Sequence, residues 1–334
     1  MADRAQSLSR FLAEAGWEGA QAAPLAGDAS ARRYTRLLRA DGARAVLMDA
    51  DLATGEDVRP FLRIARHLTG LGLSAPRVFA ADEAEGLLLL EDLGDEVVAR
   101  VAARDPSAEP MLYAAAADTL AELHRHAPPA GAEQATPARL AAMTDLAFTH
   151  YAPDTPAAAR DRARAALEEA LGRHAEGTGV LVLRDFHAEN LIWLPDRRGP
   201  ARMGLLDFQD ALAGHPAYDL ASLLTDARRD VGAEAARAAR RSYLDATGSG
   251  AAALDAAMAV LGAQRNLRIL GVFARLARAR GKPGYLALLP RVWSHLQAEL
   301  AHPALARVAA ALDGVLPPPS PAHVETLKAP CPTP

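Results

Sequence analysis

Leu183-Arg184-Asp185-Phe186-His187-Ala188-Glu189-Asn190-Leu191 is the densest polar constellation in the chain, and it follows directly on the apolar run Val180-Leu181-Val182. A second apolar run, Met203-Gly204-Leu205-Leu206, leads into Asp207-Phe208-Gln209-Asp210. Two short apolar runs, each ending in carboxylates and amides, read as strands that deliver polar side chains from their ends. Pairing Val180–Leu183 with Met203–Leu206 as a hairpin is expected to bring Asp185, Asn190 and Asp207 to one mouth. Oxygen-bearing side chains of this kind suit two tasks: orienting a hydroxyl, and holding a hard divalent ion.

Working toward the N-terminus, the sequence alternates between strand and helix signals. Residues 4–16 carry Leu8, Phe11, Leu12 and Ala15 at helical spacing, and Pro24 to Ser30 reads as a loop. Tyr34–Arg39 and Ala45–Asp49 flank Asp41-Gly42, a strong two-residue hairpin signal. A helix over 56–70 and strands at 77–80 and 87–90 complete a small sheet-rich region. Beyond Glu91-Asp92-Leu93-Gly94 the chain turns alanine-rich and helical. Pro317 onward is a proline-rich tail from which no core contribution is expected. The resulting division is 1–92, 93–316 and 317–334, in an α+β chain of two lobes.

Composition removes several function classes. The 334 residues carry 37 basic and 41 acidic side chains, a net charge of −4, which argues against a nucleic-acid surface. Lys282 and Lys328 are the only lysines, and Cys331 is the single cysteine, so no disulfide framework or cysteine-ligated metal cluster is available. No apolar stretch approaches the ~20 residues of a membrane span, and Met1–Ser7 lacks a secretory pattern. A cytoplasmic location without an obligate protein partner is expected.

Asp185 and Asn190 have the Asp-to-Asn spacing of the kinase catalytic loop, and Asp207-Phe208 matches the start of its metal-binding motif. Together with Gly27–Tyr34, Val46–Ala50, Leu183–Trp193, Gly204–Ala211, Pro216–Leu224 and Asp226–Asp230, these motifs make the chain similar to the aminoglycoside phosphotransferase-like kinases over roughly residues 10–300. The resemblance implies a protein-kinase-like fold with a sheet-rich N-lobe and a helical C-lobe, ATP and Mg²⁺ as cofactors, and a small-molecule acceptor. It implies Asp185 as the catalytic residue, with Asn190 and Asp207 as metal ligands. Gly27, Asp28, Ala29 and Ser30 would form the loop over the phosphates, Glu91 and Leu93 would belong to the adenine-binding hinge, and Asp219 would brace the catalytic loop. The fuller motif set resembles the sugar-kinase subgroup. The expected reaction is therefore phosphorylation of the anomeric hydroxyl of N-acetylmuramate and N-acetylglucosamine, in cell-wall recycling. Another hydroxyl acceptor, such as an aminoglycoside or amino alcohol, and a catalytically silent nucleotide-binding protein are the alternatives.

Two departures from the family pattern matter. The family's loop usually begins His-Gly-Asp, whereas this chain has Leu183-Arg184-Asp185. The returning N-lobe strand usually carries a phosphate-binding lysine, whereas here it reads Met48-Asp49. Arg32 and Arg33 are the candidates to replace that lysine. Arg184, Gln209 and Arg265 are candidates for the acceptor, with a helix-surface role as the blander reading of Gln264-Arg265-Asn266. His187 is expected to brace the loop, and His124 and His126 to pack rather than bind metal.

Overall fold

An antiparallel five-stranded sheet opens the chain, in the order β1 (Gln21–Leu25), β2 (Arg33–Leu38), β3 (Arg44–Asp49), β5 (Leu87–Glu91), β4 (Val78–Asp82). The computed structural model describes residues 2–25, 32–52, 55–177 and 179–328. A hairpin forms around Asp41-Gly42, but its turn takes three residues, Ala40 to Gly42, where two were expected: the Arg39 N–H donates to the Ala43 carbonyl at 3.0 Å, Leu38 pairs with Arg44, and Tyr34 with Met48. β5 is buried on both faces, with helix α1 (Ala2–Glu14) packed on one of them, and α2 (Arg59–Gly70) belongs to the same unit. Phe11 and Trp17 pack on Leu37, Leu47, Leu87 and Leu89. Phe61, Leu62, Ile64, Ala65 and Leu68 form the buried stripe of α2.

The last two residues of β1, Pro24 and Leu25, lie where the sequence reads as a loop, and Pro24 stands opposite Thr35. The strand accepts a proline because it is an edge and pairs only with β2, so no second ladder needs that N–H.

The chain divides into two compact units, residues 1–106 with 189–211, and residues 107–188 with 212–334. This differs from a cut after residue 92. Helix α3 (Val98–Arg104) stays with the sheet, and so does the later hairpin of β7 (Leu191–Trp193) and β8 (Met203–Leu205). The Val180–Leu183 with Met203–Leu206 hairpin therefore does not form. β6 (Val180–Val182) pairs instead with β9 (Leu212–Gly214), and β8 pairs with β7. Leu191-Ile192-Trp193 supplies β8 with a fully buried antiparallel partner much closer in sequence, so the shorter loop is closed first.

The second unit is helical: α4 (Glu109–Leu123), α5 (Pro137–Ala142), α6 (Ala157–His174), α7 (Ala217–Leu224), α8 (Ala233–Thr247), α9 (Ala251–Arg280), α10 (Leu289–Leu300), α11 (Ala306–Leu312) and α12 (Pro321–Lys328). The 30-residue α9 is its axis, packed by α6, α7, α10 and a π-helical turn at Ala147–Tyr151. The expected inert tail is corrected by α12. Leu327 is 1% exposed, and the Tyr151 hydroxyl donates to the Pro317 carbonyl at 2.7 Å. Leucine at the end of a short helix buries enough apolar surface to dock a segment whose prolines suggested otherwise.

Candidate active site

In the helical unit, the loop carrying Asp185 is fixed by backbone contacts. Asp219, in the first turn of α7 and 0% exposed, accepts the Leu183 N–H at 2.6 Å and the Arg184 N–H at 2.8 Å. Burial raises its carboxyl to about 7, against the pull of those two N–H groups and Arg265, while Asp185 pushes it further up. The Arg184 carbonyl in turn accepts from the Ser222 hydroxyl at 3.1 Å and Arg265 Nη2 at 3.3 Å. Helices α7 and α9 thus grip the peptide groups on either side of Arg184 and set the position of Asp185.

Arg184 sits in the left-handed region, with φ 71°. That conformation costs a non-glycine residue roughly 1–2 kcal/mol, which accounts for the glycine usual at this point of the family loop. Behind it, His187 is buried and shares a 3.1 Å contact between Nε2 and Arg228 Nη1. Burial and then Arg228 lower its pKa to about 4, so the ring is neutral and braces the loop. His124 is likewise neutral, lowered to about 3 by burial and held by the Tyr243 hydroxyl at 2.8 Å. Gln264, Arg265 and Asn266 are buried, which corrects the helix-surface reading: α9 is surrounded by neighbouring elements, so polar residues on it face protein.

In the sheet-containing unit, Asn190 and Asp207 lie at the ends of the β7–β8 hairpin. The Asn190 carbonyl accepts the Leu206 N–H at 3.0 Å, and the Asn190 amide nitrogen lies 3.5 Å from Asp207 Oδ2. Among the described residues, Asp207 is the other non-glycine residue with positive φ, 57°. The bend turns its carboxylate toward Asn190 while Phe208 stacks on Phe61 of α2 at 4.9 Å. Gln209 Nε2 donates to Asp207 Oδ1 at 2.7 Å, so Gln209 touches the carboxylate of its own unit.

These donors suit a divalent ion. The 3.5 Å contact from the Asn190 amide nitrogen to the carboxylate is at the limit of a hydrogen bond, and turning the amide over would present its oxygen beside Asp207 to such an ion. Among the described residues no group of three or more His, Cys, Asp or Glu side chains could hold a metal. A carboxylate and an amide such as Asp207 and Asn190 would suit Mg²⁺, which takes one or two protein carboxylates and completes its shell with water and phosphate oxygens.

Gly27, Asp28, Ala29 and Ser30 lie outside the described residues. Of the two arginines that follow, Arg33 is exposed at the start of β2. Arg32 makes an ion pair with Glu56 at 2.8 Å and hydrogen-bonds the Tyr34 side chain, which itself feels the charge of Asp207. Burial raises the Tyr34 pKa, with Arg32 opposing and Asp207 adding to it. The Asp49 that stands on β3 is neutralised by Arg4 of α1, whose Nε donates to it at 3.1 Å. The Glu91 side chain is occupied by Arg77 at 3.2 Å and Arg197 at 2.7 Å, which leaves the hinge only backbone groups to offer. Leu93 packs toward Gly204 of β8.

The family description "Phosphotransferase enzyme family" matches residues 21–260. This chain is a member of that family. The phosphotransferase is 38% identical to an N-acetylmuramate/N-acetylglucosamine kinase of Caulobacter vibrioides, over 94% of this chain and 97% of the relative. It is 32% identical to a kinase of the same name from Pseudomonas aeruginosa, over 87% of this chain and 88% of the relative. The streptomycin–ATP ternary complex of APH(2")-IIa shares its fold at 16% identity, with a TM-score of 0.56 over 89% of this chain and 96% of that one.

Sequence reasoning passed over Glu56 and Arg268. Glu56 precedes its helix in a polar run without periodicity. Arg268 is one of many arginines on α9, and one signal was available: it follows Arg265 by a single helical turn.

Proposed function

We propose that this phosphotransferase transfers the γ-phosphoryl group of ATP to the anomeric hydroxyl of N-acetylmuramate and N-acetylglucosamine. The observation that carries this reading is near-full-length identity of 38% to a kinase of that name. Bound MgATP supplies the phosphoryl group and neutralises its charge. Asp185 orients the acceptor hydroxyl and receives its proton. An anomeric hydroxyl is more acidic than an ordinary alcohol, so alignment contributes more than full deprotonation. Asn190 and Asp207 would hold the metal, with Gln209 fixing Asp207. Arg32, set by Glu56 and Tyr34, carries the cationic role that Met48-Asp49 leaves unfilled. Asp219 acts through the loop as a positioning residue.

The test is product identity combined with one substitution. Incubation with MgATP and either sugar is expected to give a 1-phosphate by phosphorus NMR. Asp185→Asn is expected to lower kcat by at least about a thousandfold while nucleotide affinity changes little. A 6-phosphate, or phosphorylation only of an aminoglycoside or amino alcohol, replaces the acceptor assignment. Retained turnover in Asp185→Asn removes that residue from the mechanism.

A further inference from the structure

Three arginines, Arg184, Arg265 and Arg268, lie close to one another in the helical unit, and the charge of Arg268 interacts with that of Asp185. Arg184 precedes it in the chain, and Arg265 of α9 donates to the Arg184 carbonyl at 3.3 Å and to Ser222. The Arg265 group is 6% exposed and stands 5.7 Å from the Tyr218 ring centroid, yet its Nη1 is buried with no hydrogen-bond partner among the described residues. Arg268 lies one helical turn further along α9, on the same face, half-buried. Its charge interacts with those of Arg184, Asp185 and Arg265.

The charge balance of this cluster is uneven. Loss of water and then Arg184 depress the Arg268 pKa, with Arg265 adding to the effect and Tyr218 and Asp185 opposing it. Asp219, the other carboxylate nearby, is committed to two backbone N–H groups. Arginines crowded beside one another are relieved by an anion that brings its own charge, and a guanidinium fork matches a carboxylate with two parallel hydrogen bonds. Arg184 itself stands at a φ of 71°, a conformation that glycine would occupy freely.

We infer that Arg268, supported by Arg184 and Arg265, binds the carboxylate of a carboxylate-bearing amino sugar and so sets the preference for that acceptor over its neutral counterpart. The inference rests on the amino-sugar reading above and assigns the feature that separates its two acceptors. N-acetylmuramate carries a lactyl carboxylate on its ring, and N-acetylglucosamine carries a hydroxyl there. The carboxylate is held beside the anomeric hydroxyl that Asp185 orients, and a neutral acceptor leaves the half-buried Arg268 without that counter-charge.

The experiment measures kcat/KM for both sugars in the wild-type protein, Arg268→Gln and Arg268→Lys. The ratio of N-acetylmuramate to N-acetylglucosamine efficiency is expected to fall about ten- to hundredfold in Arg268→Gln, and by less in Arg268→Lys, which keeps a point charge without the fork. A ratio is unaffected by a smaller active fraction, so partial misfolding does not obscure it. An unchanged ratio overturns the inference, as does an equal fall for both sugars with a raised KM for ATP, which would place Arg268 on the nucleotide instead. If neither variant folds, the methyl ester of N-acetylmuramate decides: the wild-type protein is expected to use it at least about tenfold less efficiently than the free acid, and equal use overturns the inference. Failure of the amino-sugar reading is distinct, since the wild-type protein would then phosphorylate neither sugar.

Discussion

Arg184 shows how one side chain serves stability and function in opposite directions. Its φ of 71° is glycine's territory, and its carbonyl and N–H are held by Ser222, Arg265 and Asp219. Replacing it with glycine removes the backbone penalty, so Arg184→Gly is expected to unfold at higher denaturant, by up to about 1 kcal/mol. The same variant is expected to have a raised KM for the acceptor. Chemical denaturation read beside acceptor saturation curves checks both signs. Glycine is the usual family residue, and the sequence showed its absence plainly. What it could not show was the sign of φ, because only the hydrogen bonds to a residue thirty-five positions away fix that geometry.

At the scale of elements, the long regular pieces were legible and the short pairings were not. Helix α2 and strands β2 to β5 announce themselves by period, and the structure places them within a few residues. β7 is only Leu191–Trp193 and is attached to a polar motif, so nothing local distinguished it from the loop's end. Missing it assigned β8 the wrong partner. The polar triplet Gln264-Arg265-Asn266 misled for a related reason: α9 is enclosed by other helices, and burial there is set by neighbours rather than by its own pattern. Contact between elements also fixes Gly271. A Cβ at that position would stand 2.1 Å from the Leu146 carbonyl carbon and 2.4 Å from the Ala147 nitrogen. Gly271→Ala is therefore expected to destabilise by about 3 kcal/mol, since the clash is with backbone of the π-helical turn. Gly172→Ala on α6, where a Cβ meets nothing within 4 Å, is expected to stabilise by about 0.5–1 kcal/mol. Thermal melts of the pair read the contrast.

For the molecule as a whole, buried titratable groups act against one another as pH changes. Glu299 of α10 is raised to about 8 by burial, despite the Asn266 hydrogen bond at 2.9 Å and the nearby Arg265. Asp219 is raised to about 7 for the same first cause. Each folded acid keeps a proton that the unfolded chain has released, so their contribution is complete below the ordinary carboxyl range and lost as pH rises through about 7 and about 8. The buried histidines, lowered to about 4 and about 3, have the opposite sign: they favour the folded state above the ordinary imidazole range and weaken it as pH falls toward those values. Glu299→Gln removes one acid from this balance. Its stability relative to the parent is expected to be level near pH 4 and to climb through pH 8, at most by about 1.4 kcal/mol per pH unit. Melting curves at several pH values test it, and parallel profiles would refute it. Composition alone gave none of this, because a glutamate in sequence carries no mark of the Gly262 backbone against which its carboxyl lies.

The sheet unit has a further consequence, because it is assembled from two stretches of chain. Ser74 accepts the Leu205 N–H at 2.8 Å and binds Arg197 at 2.6 Å, and Arg197 also reaches Glu91. These contacts do not exist until the later stretch has been made. During translation the first hundred or so residues must therefore wait, incomplete, while the intervening helices emerge from the ribosome. For the same reason, a chimera that trades this unit with a relative must graft both pieces together.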